Sequence, residues 1–469
     1  MIKLKKVINH LDDNTYKDIV DQFSKTKAEN FLFLLQSYRK NAITDNDIMK
    51  KLELTNNSFY VLKSRLYEKI QTNLSAEIDI TKEDVLNQFH QLPEISFSTS
   101  REVATAILLK LEKDLLTFDL HNELVILYSI LKRLNLYSDK YFHYSQLYNK
   151  QIAYTLSIEK SLDLLGEFNR KLNEYMFSKV PGLINELLFL HKEIEDYFLL
   201  NSDRQIEVIK YFIELQLIIF CDQLNNNNTE EILNKANALL SNLPESSQLK
   251  KWLLPLNYLY FEYYVSKRQS SQAEIYYLKT EKDYKTLLLA NPICISSRYL
   301  LSKTNYLIEK GRIGELKKMD VDSILFDPHD PFSIIRLNLY KSLLMFFNNN
   351  AKGAVAEIAD ILNNNSLRDF VHINVEVKLT LAYYYLHLEE FDLADHILKN
   401  LSRKLKLSDS LDYKNVNDLI KFFNYIISNA DLNVKNQKQK DTFALFIARN
   451  KGEIEVVSFL VQDMLNKFS

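Results

Sequence analysis

The chain has 469 residues and nearly balanced charge, with 59 Lys and Arg against 61 Asp and Glu, so it lacks the basic excess that whole-chain binding to nucleic acid or anionic membranes requires. Glycine is scarce, at 6 residues, whereas sandwiches, barrels and nucleotide-binding α/β folds use glycine at turns and phosphate loops. The composition therefore predicts an all-α protein.

The N-terminal stretch MIKLKKVINHLDDNTYKDIV begins with basic residues but has neither a long apolar core nor a small-residue cleavage site, so it does not read as a signal peptide. The two cysteines, Cys221 and Cys294, are too few for a disulfide framework and fit a reducing compartment. The most apolar run, YFIELQLIIF, is interrupted by Glu214 and Gln216 and is too short to span a bilayer. We therefore expect a cytoplasmic protein without a membrane span.

The stretch DNDIMKKLELTNNSFYVLKSRLYEKI predicts a helix over 45–51, a tight turn, and a second helix over about 56–72 with Thr55 as its N-cap. Residues 44–70 resemble the helix-turn-helix of sigma factors and quorum regulators. Ile48 and Leu52 match its first helix, and four residues match the inner face of its recognition helix: Phe59, Leu62, Leu66 and Ile70. Those families usually have glycine where this chain has Glu53, so Glu53 must either adopt a left-handed conformation or change the turn.

The resemblance implies possible DNA contacts on the second helix, at Asn57, Tyr60, Lys63, Ser64 and Arg65. Opposite the apolar stripe, however, the helical period places one cation and one anion beside Val61. A DNA-reading face normally carries several Lys or Arg. The same block also resembles helical proteins of Bacteroidota-like bacteria that open with NxxLL and LKxRLYxxL before a tetratricopeptide-like body, and nothing functional transfers from that likeness.

Further along the chain, apolar residues recur at helical spacing. The predicted core faces are Val103, Ile107, Leu111 and Leu115, with Leu108 and Leu116 beside them, and then Leu162, Leu165, Phe168, Leu172 and Met176. Dense aromatic runs occur at 137–148, 258–264 and 383–388. We expect most of these rings to fill helix interfaces and a minority to be exposed in a groove.

Two short stretches could contribute metal ligands. His191 and Glu195 stand four residues apart on a predicted helix, where a solvated face is the simpler interpretation. DPHDP brings Asp327, His329 and Asp330 together between prolines, and a helix-terminating turn is the simpler interpretation there.

A repeated unit is clearest in LAYYYLHLEEFDLADHILKNL, residues 381–401. It resembles the tetratricopeptide repeat, a pair of antiparallel helices. Leu381 and Ala382 stand at its Leu-Gly pair, Tyr385 and Phe391 at its aromatic positions, and Ala394 at the small residue where the second helix crosses the first closely. Weaker copies place the small residue at Ala236, Ala273 and Ala354, with Glu315 at that place in a degenerate unit.

The resemblance implies a right-handed α-solenoid of antiparallel helix pairs over residues 76–440. A small helical N-terminal module over 1–75 precedes it, and capping helices over 441–469 follow it. The sequence contains no P-loop, dinucleotide-binding turn, nucleophile elbow or zinc-ligand cysteine pair. We therefore expect a non-enzymatic adaptor without cofactor or metal that binds a protein or peptide partner on the concave face of the solenoid. The alternative is a transcriptional regulator with an N-terminal helix-turn-helix and a TPR-like sensor body.

Overall fold

The computed structural model describes residues 4–9, 13–25, 28–40, 44–74, 82–92, 101–224, 228–241, 251–290, 292–316, 329–364, 367, 370–406, 414–429, 437–450, 456 and 459–460. Within these ranges the chain is all-α and has no strand, as its composition predicted. The chain divides into two compact units, of which the first takes in Met1–Leu156 and the second takes in Ser157–Leu243 and Gln248–Ser469. The predicted boundaries at 75 and 440 stay predictions.

The first unit contains nine helices among its described residues, the last of which continues into the second unit. They are α1 (Leu4–Asn9), α2 (Asp13–Lys25), α3 (Glu29–Lys40), α4 (Asp45–Lys51), α5 (Asn56–Leu74), α6 (Lys82–His90), α7 (Arg101–Thr117), α8 (His121–Leu134) and α9 (Lys140–Ser178). Two separate apolar clusters stabilise this unit. One joins α1 to α5 and is confined to residues 4–70, and the other joins α6, α7, α8 and the start of α9.

The second unit continues from residue 157 of α9 and consists mainly of helices that pack on their sequence neighbours. These are α10 (Gly182–Leu200), α11 (Arg204–Cys221), α12 (Thr229–Ser241), α13 (Leu253–Ser266), α14 (Ser270–Glu281), α15 (Tyr284–Leu288), α16 (Tyr299–Glu309), α17 (Ile313–Leu316), α18 (Pro331–Phe347), α19 (Ala351–Asn364), α20 (Val371–His387), α21 (Phe391–Lys406), α22 (Lys414–Asn429) and α23 (Gln437–Asn450). One continuous apolar cluster runs from Ile158 to Leu460. Most of the predicted C-terminal cap beyond α23 lies outside the described residues.

The helix pairs share one turn. A capping residue ends the first helix, the next residue has a positive φ, and one further residue precedes the second helix. The positive-φ residues of five such turns are Asp119, Arg268, Gly311, Asn349 and Glu389, with φ between 53° and 68°. In each turn the following backbone N–H donates to the carbonyl five residues back, at 2.8–2.9 Å, as in a Schellman motif. Because only one of the five is glycine, the other four carry a Cβ in a left-handed conformation.

We expect Glu389→Gly to raise the free energy of unfolding by about 0.5–1 kcal/mol, because glycine relieves the left-handed strain at φ 61° and loses little else at this exposed turn. Urea denaturation of the full chain measures the change. Lys399→Gly is the control, because Lys399 is also exposed, lies in the middle of α21 and has no positive φ, so glycine there should be destabilising. Equal effects at the two positions would contradict the strain argument.

The predicted small residues Ala236, Ala273, Ala354 and Ala394 are all fully buried, and each lies on a helix that packs against the one before it. In three of these pairs the alanine stands five residues after the positive-φ position. The same count in the turn at Gly311 gives Leu316, which is buried, whereas Glu315 is exposed. The predicted alignment of the degenerate unit was therefore wrong by one residue, and a bulkier side chain occupies the position there.

The predicted core faces of α7 and α9 were partly wrong. Ile107, Leu116 and Leu162 are exposed, while Leu165, Phe168 and Leu172 are buried as predicted. The buried stripe of α7 consists of Ala104, Leu108, Leu111 and Leu115. The apolar residues of α7 cover more of the helix surface than α6 and α8 contact. The helical period alone therefore did not identify which of these apolar residues are buried.

Candidate functional site

The α4–α5 pair has the outline that the sequence predicted. Thr44 caps α4 in a capping box with Asp47, and the Thr55 hydroxyl accepts the Ser58 N–H at the start of α5, at 3.3 Å. Glu53 adopts the left-handed conformation, with φ 51°, and the Leu54 N–H donates to the Met49 carbonyl at 3.0 Å. The turn therefore has the same left-handed residue and the same hydrogen bond to the carbonyl five residues back as the other helix pairs, with one residue more before the second helix.

The proposed DNA-contact face of α5 is open to solvent. Asn57, Tyr60, Ser64 and Arg65 are exposed. Val61 on the same face is 49% exposed, so an apolar side chain lies uncovered among them. The inner face packs as predicted, with Phe59, Leu66 and Ile70 buried and Leu62 half-buried.

Lys63, the fifth candidate, is turned towards its own module. Its ammonium lies 2.9 Å from an Asp45 oxygen and close to the rings of Tyr38 and Phe59, at 5.6 and 5.2 Å from their centroids. Tyr38 donates to the other Asp45 oxygen at 2.8 Å. Partial burial acts to raise the pKa of Asp45, but the hydrogen bonds from Lys63 and Tyr38 outweigh it and hold that pKa below its ordinary value. Lys63 therefore stabilises the module, and Arg65 is the candidate cation directed to solvent.

In the second unit, several helices are buried on all sides. In α11, α13, α18 and α20 most side chains in the middle of the helix are shielded from solvent, whereas α12, α14 and α21 alternate buried and exposed positions. We call α11, α13, α18 and α20 the inner helices. A helix that is apolar all round must be covered on more than one face. Two segments of the chain itself supply part of that cover.

The second half of α9 is one of these segments. The Asn169 amide donates to the Pro292 carbonyl at 2.8 Å and accepts from Gln216 of α11 at 3.1 Å. Gln216 in turn accepts the Ile295 backbone N–H at 3.2 Å. Asn169, Gln216 and Ile295 are buried, so water competes little for the hydrogen bonds that link them.

Further along α9, Asn173 accepts a hydrogen bond from the buried Arg336 guanidinium of α18 at 2.7 Å, and Ser297 accepts another at 3.0 Å. The guanidinium also lies 4.9 Å from the centroid of the Phe177 ring. Phe177 meets Phe332 and Phe370 edge-on. The inner helix α18 therefore holds α9 through both a charged group and an aromatic cluster.

The second segment consists of residues 456–460, of which Val456, Phe459 and Leu460 are described. All three are helical and buried. The Glu376 carboxylate of α20 accepts the Val456 backbone N–H at 2.6 Å, and the Tyr383 hydroxyl donates to the Leu460 carbonyl at 3.2 Å. Side chains of the inner helix α20 thus bind main-chain groups of this segment.

The aromatic runs are mostly core, as predicted. All five aromatic rings in the run 258–264 (YLYFEYY) are buried, and so are Tyr383 and Tyr384. The exposed minority lies in the first unit, where Tyr137 is 94% and Phe142 is 74% exposed.

A buried cation lies among the tyrosines. The Lys303 ammonium of α16 is fully shielded, 3.3 Å from Glu281 and 3.8 Å from the centroid of the Tyr284 ring. Tyr299 donates to Glu281 at 2.7 Å. Burial lowers the pKa of Lys303 to about 8, although Glu281 opposes the shift.

The two possible metal positions resolve differently. His191 is buried rather than on a solvated face, which corrects the prediction; its Nδ1 lies 3.8 Å from an oxygen of Glu195, and burial lowers its pKa. Asp330 caps α18 by accepting the backbone N–H groups of Phe332 and Ser333, while Asp327 lies outside the described residues. Within the described ranges, no group of three or more His, Cys, Asp and Glu side chains is arranged to hold a metal.

Sequence reasoning missed Glu376, Arg336, Asn169 and Gln216, the polar residues that hold these segments. The signal available was an isolated polar side chain in a helix that is apolar on every face, as in YFIELQLIIF. Comparison of the chain with protein families, curated proteins and solved structures found no match. Among the described helices, none combines the length and apolarity needed to cross a bilayer.

Proposed function

We propose that this protein is a non-enzymatic interaction protein of the cytoplasm, a TPR-like right-handed solenoid that binds a partner polypeptide through the inner helices of the second unit. The observation that supports the proposal is that α18 and α20 already hold helical segments of the same chain through buried polar side chains. Such side chains recognise a helix and its main chain, which is the chemistry that binding of a peptide or protein helix requires.

The binding surface proposed here differs from the unoccupied concave face that the sequence led us to expect, because part of it is already covered by the chain itself. The second half of α9 covers part of the inner surface at α11 and α18. Since Asn169 and Asn173 are buried together with Gln216 and Arg336, an incoming polypeptide would have to compete with α9 there. The partner is therefore expected to bind the inner helices beside α9.

The test uses the purified full chain, with capture from the native cytosol followed by direct binding of each captured protein in purified form. We expect at least one partner with a Kd of about 10 µM or tighter, which corresponds to a binding free energy of about −7 kcal/mol or more favourable. A control bait of equal charge and helix content measures non-specific capture. If no captured protein binds directly, the proposal is wrong.

A second candidate function is DNA binding by the first unit. It is favoured by the separate core of residues 4–70 and by the exposure of Asn57, Ser64 and Arg65. It is opposed by the uncovered Val61 and by the engagement of Lys63 with Asp45.

If α5 contacts DNA, Arg65→Ala should weaken binding and reduce the slope of log Kobs against log salt by about 1, the amount expected for one lost phosphate contact. Fluorescence anisotropy with duplex DNA at 50–200 mM salt measures this. Lys352→Ala, at an exposed lysine of the second unit, is the control and should leave the slope unchanged. A flat titration of the unmodified chain at the lowest salt would rule out this function.

A further inference from the structure

The segment held by α20 has the chemistry of a displaceable ligand. Val456, Phe459 and Leu460 stand at positions i, i+3 and i+4, which lie on one face of a helix, and all three are buried. This is the spacing by which amphipathic helices insert apolar anchors into grooves of other proteins. The segment follows α23 in the chain.

The bonds that hold the segment do not depend on its side chains. Glu376 accepts a backbone N–H and Tyr383 donates to a backbone carbonyl. Glu376 and Tyr383 are seven positions apart on α20, which separates them by about 10 Å along the helix. A helix with bulky apolar residues at the same spacing offers these groups when the first of those residues lies in its first turn, where backbone N–H groups have no partner within the helix. The carbonyl is available at any position, because a helical carbonyl oxygen can accept a second hydrogen bond.

We infer that the face of α20 that carries Glu376 and Tyr383 is a helix-binding site. The C-terminal segment occupies this site in cis. An amphipathic helix of a partner, with the spacing Φ-x-x-Φ-Φ (Φ, a bulky apolar residue), binds there by displacing the segment. The inference rests on the proposed function and specifies its partner class and its regulation. A tethered segment acts at an effective concentration on the order of millimolar, so it weakens every competing helix. Partner binding is therefore controlled by release of the segment.

The test uses a fluorescein-labelled peptide that copies residues 453–466, EIEVVSFLVQDMLN, titrated with the full chain and followed by anisotropy. The unmodified chain is compared with the double variant F459A/L460A, in which the cis segment loses two of its three anchors. We expect the double variant to bind the peptide at least about tenfold more tightly. A control peptide with alanine at the positions of Phe459 and Leu460 should bind neither chain.

Adding E376Q and Y383F to the double variant should abolish the gain, because these changes remove the acceptor charge and the donor hydroxyl of the site itself. If the peptide binds the unmodified chain and the double variant equally, or if the site variants do not weaken it, the inference is wrong. A dimer of the unmodified chain by light scattering, dissociated by F459A/L460A, would assign the site to a second copy and also overturn it.

A second measurement guards against misfolding of the double variant. Hydrogen exchange of the unmodified chain with excess peptide should speed exchange in the C-terminal segment severalfold and leave α20 protected. Unchanged exchange at saturating peptide would overturn the inference. If a captured partner binds the chain directly while the peptide fails these tests, the proposed function stands and only this site assignment falls.

Discussion

Replacing Arg336 with alanine is expected to lower the free energy of unfolding by roughly 3–5 kcal/mol. The guanidinium is buried, and it is the donor to both Asn173 and Ser297. Alanine removes both hydrogen bonds and leaves two buried acceptors without them, each at a cost of about 1–3 kcal/mol. It also opens a cavity beside Phe177, where the guanidinium lies 4.9 Å from the ring centroid.

Chemical denaturation of the full chain measures the loss, and Arg403→Ala provides the control because Arg403 is exposed on α21 and should change stability by less than about 0.5 kcal/mol. A double-mutant cycle with Asn173→Ala separates the α9 contact from the cavity. We expect a coupling of about 1 kcal/mol and faster hydrogen exchange in the second half of α9. Additive effects would show that Arg336 does not hold α9.

The same contact explains what sequence analysis could not predict. Asn173 and Arg336 are separated by 163 positions, and nothing in helical period links residues that far apart. Period identifies an apolar face but not the segment that covers it. The expectation of an open binding face therefore contained no information about α9, whose second half packs on the inner helices α11 and α18.

Local structure was more predictable. The helix over 45–51 was confirmed at both ends because Thr44 and Asp47 form a capping box and a left-handed residue follows at Glu53. The four alanines at close helix contacts were located because a small residue followed by bulky apolar residues at helical spacing is a local pattern. Turns were harder, because glycine is the usual signal of a left-handed position and only Gly311 among the five repeated turns carries it.

The buried polar groups of the inner helices connect fold and function. An apolar core would stabilise the unit as well, since replacing buried charges with packed hydrophobic residues is often neutral or favourable. Arg336, Glu376 and Gln216 instead impose hydrogen bonds that only particular helical segments satisfy. That selectivity is what an interaction surface needs and a plain core does not, which is why we assign binding to these helices.

Replacing Lys303 with methionine and Glu281 with glutamine in one double variant is expected to raise the free energy of unfolding at pH 7 by roughly 1–3 kcal/mol, because both charges of the buried pair are removed together. Burial lowers the pKa of Lys303 from 10.5 to about 8, so the folded state disfavours the charge that the lysine carries at pH 7. Methionine keeps the apolar stem without the charge, and glutamine keeps an oxygen that can accept the hydrogen bond from Tyr299, so neither position is left with an unpaired charge. The buried cation is thus a source of instability that the ion pair with Glu281 only partly offsets.

The pH dependence provides the sharper test. Since the folded pKa lies below the unfolded value, the unfolded chain holds more protons between about pH 8 and 10.5, and the stability of the unmodified protein rises through that window. The advantage of the Lys303→Met, Glu281→Gln double variant should therefore shrink by about 2 kcal/mol between pH 7 and pH 9.5. Urea denaturation at both pH values measures the difference, and Lys352→Met, at an exposed lysine, should show no such change. A constant advantage across the two pH values would mean that Lys303 keeps an ordinary pKa in the folded protein.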